Sequence, residues 1–199
     1  MKLNWAERWA VNNPLRAIEQ RVEIRWMKRR GALRQGGIVL EVGCGRGVGG
    51  ALISREFKPA ALHLSDLDME MARKARRRLD SGVFVGNSVV VADAFRLPYL
   101  GGCMDAVFGF GVLHHVPDWR GAVSEIARVL KPGGLYFLEE LYPVLYQNFL
   151  TRHILLHPQE GRFVSADLKL GLRESGLALQ DFLEHPWIGI LGVAVRRAT

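Results

Sequence analysis

Cysteine is scarce in this 199-residue chain: there are two, Cys44 and Cys103, and they share no metal-type pairing or spacing. Neither a disulfide framework nor a cysteine-built metal centre is expected, and both read as free thiols. No run of roughly 18 apolar residues goes without a charge, which argues against a transmembrane helix. The opening residues Met1-Lys2-Leu3-Asn4-Trp5-Ala6-Glu7-Arg8 lack the apolar middle of a signal peptide, so a cytoplasmic location is expected. Acid is in deficit, with 20 acidic against 27 basic residues and a net charge of +7. An anionic partner, nucleic acid or a membrane surface, therefore has to be considered. The excess gathers in 25–30 and 73–78, both on expected helices, where it is either a solvated face or a functional patch.

What is present is a core. Hydrophobic residues make up 49% of the chain, enough for one α/β domain over 1–199. Its parts are a helical extension over 1–30, a central unit over 38–140 and an apolar, aromatic segment over 141–165. The stretch that organises the rest is Ile38-Val39-Leu40-Glu41-Val42-Gly43-Cys44-Gly45-Arg46-Gly47. Its apolar, β-branched beginning reads as a buried strand, and the glycines read as a tight turn that opens a helix over 51–55. Glycine there lets a ligand lie against the backbone. Gly45, Gly47 and Gly50 also fit the G-x-G-x-x-G spacing of a dinucleotide site. Glu41 speaks against that reading, because an acid at the strand end faces a pyrophosphate unfavourably.

Upstream, the asparagines Asn12 and Asn13 can cap a helix whose first residue is Pro14 and which runs to Arg30. Leu15, Ile18, Val22 and Trp26 form its apolar stripe, expected to lie on the core or to close over a cofactor. With Trp5 and Trp9 nearby, a basic amphipathic helix of this kind can also sit on an anionic membrane surface.

The segment from Glu41 to Gly47 resembles the E/D-x-G-x-G-x-G signature of the class I S-adenosylmethionine-dependent methyltransferases. Further segments carry the same resemblance in order. Ala60 to Ser65 reads as the second strand, and Asp66-Leu67-Asp68-Met69-Glu70 follows it. Ser88-Val89-Val90-Val91, with Val83-Phe84-Val85 before it, reads as the third strand, ending in Asp93-Ala94-Phe95-Arg96-Leu97-Pro98. The fourth strand and its exit are Cys103 to Val116, with Gly109, Gly111 and the pair His114-His115. A helix over 122–130 then meets Lys131-Pro132-Gly133-Gly134, a turn feeding a fifth strand. The resemblance runs over 38–140. It implies a doubly wound, mostly parallel seven-stranded Rossmann-like sheet.

It also implies S-adenosyl-L-methionine as cofactor. Gly43, Cys44, Gly45, Gly47 and Gly109 would line the methionine part and Glu41 would act from the strand end. Asp66 would hold the ribose, about twenty residues past the glycines, where an acid reaches two hydroxyls. Leu67 would pack on the adenine, while Asp93 and Ala94 would meet its amino group and ring. For Asp66 a plain helix cap and for Asp93 plain turn chemistry stand beside these roles. No metal is implied.

His114 suits a general base for the acceptor, and Glu139 or Glu140 at the end of the fifth strand could orient or deprotonate it. Each also has a structural reading: a histidine bonded to backbone, and an acid paired with an arginine. The segment 142–158 would form an apolar acceptor pocket. Ser165 reads as the cap of a last helix stopped by Gly176, and 179–183 with 188–195 as an antiparallel C-terminal strand pair. The expected activity is methyl transfer to a small, hydrophobic or lipid-like acceptor, with peripheral membrane contact as an option. RNA methylation and a non-catalytic cofactor-binding role remain as alternatives. Against RNA, Gly109-Phe110-Gly111-Val112 is not the N/D-P-P-Y/F element of amino-directed nucleic-acid enzymes.

Overall fold

The computed structural model describes residues 14–33, 36–80, 87–146 and 162–198. One sheet holds seven strands: β1 (Ile38–Val42), β2 (Ala61–Asp66), β3 (Ser88–Val91), β4 (Met104–Phe110), β5 (Leu130–Leu141), β6 (Leu177–His185) and β7 (Gly189–Arg196). Their spatial order is β3-β2-β1-β4-β5-β7-β6. β1 to β5 are parallel, and β7 pairs antiparallel with both β5 and β6. The expected mostly parallel sheet with an antiparallel C-terminal pair is thus the one observed.

The physical reason is visible in β1. Ile38-Val39-Leu40-Glu41-Val42 has apolar side chains on both faces, which suits a strand covered by helices on either side. Among the described residues the helices are α1 (Pro14–Arg30), α2 (Val48–Phe57), α3 (Met69–Asp80), α4 (Trp119–Val129), α5 (Pro143–Tyr146) and α6 (Ser165–Glu174), with a 3-10 turn at Leu113–His115. On one side α1, α2 and α3 cover Val39, Leu62, Leu64, Phe108 and Phe137. Phe108 and Phe137 stack with ring centroids 4.4 Å apart. On the other side Trp119 and Val123 of α4 and Leu168 of α6 cover Leu40, Val107 and Tyr136.

The chain steps outward from β1 to β2 to β3 and then returns to β4 on the opposite side of β1. That reversal opens a crevice at the carboxyl ends of β1 and β4, the place where open α/β sheets bind ligands.

Four local expectations are corrected. Ile18 and Val22 face outward, and the row of α1 that meets the sheet is Gln20, Ile24 and Met27, all buried. The two rows are about half a turn apart, and pairing with the sheet selected the second. α4 begins at Trp119, three residues before Ala122, because Asp118 caps it by accepting from Gly121 N–H at 2.9 Å. Lys131-Pro132-Gly133-Gly134 does not separate helix from strand: it is an irregularity inside β5, which pairs Leu130 with Met104 and resumes at Leu135 with Ala106. At α6 the cap position is Val164, whose N–H is met by Asp167 Oδ2 at 3.2 Å, and Ser165 is already helical. Val83 to Val85, Trp5, Trp9 and residues 147–161 of the apolar segment lie outside the described residues.

Candidate functional site

The glycine loop leaves β1 and is tied to the end of β2. Cys44 N–H donates to Ser65 O at 2.9 Å, and Gly47 N–H closes the turn on Cys44 O at 2.8 Å. Gly45 N–H donates to Asp66 Oδ2, and Asp68 N–H to Asp66 Oδ1, both at 2.8 Å. Gly45 has φ +53°, a left-handed conformation costly for other residues. A Cβ built on it meets no atom within 4 Å, so the loop's edge is open to a ligand. Burial raises the Asp66 pKa against the pull of the two amides. Each of its oxygens retains a second lone pair for an incoming hydroxyl. Cys44 is buried, and desolvation with the nearby Glu41 and Asp66 pushes its thiol far up, so it is a filler and not a nucleophile.

Glu41 is buried at the fourth position of β1. Desolvation first, then the Asp66 charge, push its pKa up to about 8, although Gly50 N–H donates to it. Its Oε2 has no hydrogen-bond partner among the described residues. The first turn of α2 leaves room for this carboxylate: a Cβ on Gly49 would collide with Glu41 Oε1 and stand 3.1 Å from Gln20 Nε2. Gln20 of α1 is therefore buried beside this carboxylate.

The exit loops of β2 and β3 are neighbours, because Ala92 N–H donates to Asp66 O at 3.0 Å. Leu67 is exposed beside Asp66. Asp93 is exposed as well and accepts from Phe95 N–H at 3.1 Å, while Ala94 is buried. Gly109 near the end of β4 pairs with Val42 on one side and Leu138 on the other, at the mouth of the crevice.

His114 and Glu140 are brought together. The Glu140 side chain is fully buried, and its Oε1 accepts from Val112 N–H (3.0 Å) and Leu113 N–H (2.8 Å). Its Oε2 accepts from His114 N–H (3.3 Å) and faces His114 Nδ1 at 2.9 Å. With Nδ1–H donating to the carboxylate, Nε2 is the nitrogen that accepts a proton.

Glu139 points to the opposite face of β5. Its Oε2 lies 2.6 Å from Arg16 Nη2, whose Nη1 lies 2.7 Å from Glu23 Oε1. Burial outweighs the attraction of Arg16 and pushes the Glu139 pKa up to about 7. A Cβ at Gly111 would stand 3.2 Å from His114 Cε1 and 3.6 Å from Glu139 Oε2, so the two side chains flank one point just past β4. Arg16 and Gln20 escape sequence reasoning. Their signal was the alternative row Arg16, Gln20, Ile24 and Met27, which reads as half polar.

Together the residues suit a ligand that brings a cationic group near Glu41 and vicinal hydroxyls to Asp66, with a flat ring beside Leu67.

Residues 40–138 match the family described as a methyltransferase domain. The chain is 31% identical over 168 residues to a ubiquinone biosynthesis O-methyltransferase of Xanthomonas axonopodis, covering 76% of this chain and 68% of that protein. It is 36% identical over 109 residues to a fatty-acid O-methyltransferase of Mycolicibacterium smegmatis. That match covers 55% of this chain and spans only 39% of the relative. A SAM-dependent methyltransferase of Aquifex aeolicus has the same fold, with a TM-score of 0.77 at 17% identity over 98% of this chain and all of that one.

Proposed function

The chain belongs to the S-adenosylmethionine-dependent methyltransferases, and on that premise we propose that it methylates a small, hydrophobic or lipid-like acceptor in the cytoplasm. S-adenosylmethionine supplies a methyl group already activated by its sulfonium charge. The work left to the protein is alignment of donor and acceptor, exclusion of water and removal of the acceptor's proton.

In this reading Asp66 receives the ribose hydroxyls, Leu67 and Ala94 face the adenine and Asp93 takes its amino group. The backbone of Gly43, Cys44, Gly45, Gly47 and Gly109 lines the methionine part. Glu41, with its unpartnered oxygen, is the acid that a cationic amino group would ionise. Residues 1–199 act as one domain, with α1 as its cover and 141–165 as the wall of the acceptor pocket.

The observation that carries the reading is the hydrogen bond from His114 Nδ1 to the buried Glu140, beside the glycines that end β4. It orients His114 to accept the acceptor's proton through Nε2. Glu140 spends its oxygens on the turn and on His114, so its part is positioning and not direct catalysis. The apolar composition of 142–158 and the names of the fatty-acid and ubiquinone-biosynthesis relatives support a hydrophobic acceptor.

Release of S-adenosylhomocysteine, measured with long-chain carboxylates, prenylated phenols, their short water-soluble analogues and RNA, tests it. Saturable turnover with a long-chain acceptor is expected. Turnover with RNA alone, or cofactor binding with no turnover of any acceptor class, would overturn the reading in favour of RNA methylation or of a non-catalytic role.

A further inference from the structure

The fold buries one side of helix α1 and leaves two aliphatic side chains of the other side exposed. The inner row, Gln20, Ile24 and Met27, is buried against the sheet. On the outer side Ile18 is 61% exposed and Val22, one turn on, 63% exposed. Arg21, Arg25 and Arg29 are exposed as well. At 3.6 residues per turn Arg25, Ile18, Arg29 and Val22 fall within an arc of about 60°, with Arg21 on its flank. Glu19 and Glu23 lie off this arc, on the side of the Arg16 cluster. Arg21 and Arg29 make no ion pair among the described residues, and Arg25 reaches Glu56 only at 3.8 Å.

Two exposed aliphatic side chains set among three arginines on one helix face match an interface of apolar chains and phosphates. The other basic helix has that combination only in part. On α3, Arg73 and Arg77 are exposed and Met69 at its first residue is too, but Met71, Ala72, Ala75 and Leu79 face inward and Arg76 is paired with Asp80. Its basic side thus carries one exposed apolar side chain at the helix end, where α1 has two in the middle of its arginines.

We propose that the outer face of α1 docks on an anionic lipid bilayer, with Ile18 and Val22 entering the interface and Arg21, Arg25 and Arg29 against lipid phosphates. This deepens the lipid-like acceptor reading and rests on it. The same helix that meets the bilayer carries Arg16 and Gln20 on its inner side to the candidate site, so an acceptor leaving the membrane would enter beside α1. The bilayer is the favoured occupant over RNA because RNA has no aliphatic surface to cover Ile18 and Val22.

The test is co-sedimentation of the full chain with vesicles of phosphatidylcholine alone and of phosphatidylcholine with phosphatidylglycerol. The variants are Ile18→Asp with Val22→Asp, Arg21→Gln with Arg25→Gln and Arg29→Gln, and a control of Arg73→Gln with Arg77→Gln. Calorimetry with S-adenosylhomocysteine reports whether each variant is folded, and the milder Ile18→Ser replaces the aspartate pair if that one is not. Binding of the wild type to the anionic vesicles, weakened roughly tenfold or more in both α1 variants and kept in the control, is the expected result. No vesicle binding by the wild type, equal binding by the α1 variants, or an equal loss in the control overturns the proposal. Each of those outcomes leaves the methyl-acceptor reading standing, since cofactor binding and turnover are read separately.

Discussion

Arg16 Nη2 lies 2.6 Å from Glu139 Oε2, a bond that joins the first described helix to the end of the fifth strand across 123 positions of sequence. Three carboxylates, Glu19, Glu23 and Glu139, surround this one guanidinium. Replacing Arg16 with Gln leaves Glu139 and Glu23 without their cation. The expected cost is on the order of 2 to 3 kcal/mol at pH 8, where Glu139 is ionised, and less at pH 6, where it has taken a proton. Chemical denaturation at the two pH values checks this. Equal losses at both would show that Glu139 does not titrate between them.

Glu41 gives a pH dependence of known sign. Its folded pKa, about 8 against an ordinary 4.5, means that the folded protein binds a proton the unfolded chain has released. That contribution to stability is complete below pH 4.5 and is lost as the pH rises through 8. Glu41→Gln removes the titration. The ligand-free wild type should therefore lose melting temperature relative to Glu41→Gln between about pH 5 and pH 8. Parallel curves would contradict the protonated state.

Two glycines of the same region should fail in different ways. Gly49→Ala drives a Cβ into Glu41 Oε1 and should destabilise the ligand-free protein by about 2 kcal/mol. Gly45→Ala meets no atom, so its stability cost is only the left-handed backbone, about 1 kcal/mol. Its main effect should be lost affinity for S-adenosylhomocysteine. Melting curves and calorimetry on the two variants separate the effects.

His114→Gln should lower kcat by roughly 100-fold or more while leaving S-adenosylhomocysteine affinity unchanged. Glu140→Gln should lower kcat too, since an amide holds the His114 tautomer and the three backbone N–H groups less well. Single-turnover kinetics with a long-chain acceptor reads both. An unchanged kcat in His114→Gln would assign the histidine to loop structure.

The glycine loop, Asp66 and Asp93 were legible because each ends a short apolar run, and a strand end followed by glycine or acid constrains the backbone locally. The orientation of α1 was not. Of the expected stripe Trp26 packs on the core beside Ile24 and Met27, but Ile18 and Val22 face outward and Gln20 faces in, and periodicity alone does not say which side of a helix is covered. Arg16 and Gln20 were hidden for the same reason: their value lies in Glu139 and Glu41, which only the fold brings near. The place of Glu140 at the end of the fifth strand was legible, but its four hydrogen bonds to the 112–114 turn depend on the exit path of β4. The bulge at Lys131 to Gly134 likewise follows from pairing with β4, where the four residues read locally as a turn.

Methyl transfer to a lipid-like acceptor is tested most directly by incubating the protein with methyl-labelled S-adenosylmethionine and a total cell extract, then separating organic-soluble, aqueous, RNA and protein fractions. Label in the organic phase with the wild type, and none there with Asp66→Ala, is the predicted result. Label confined to RNA or protein, or no label from a protein that binds S-adenosylhomocysteine, would contradict it.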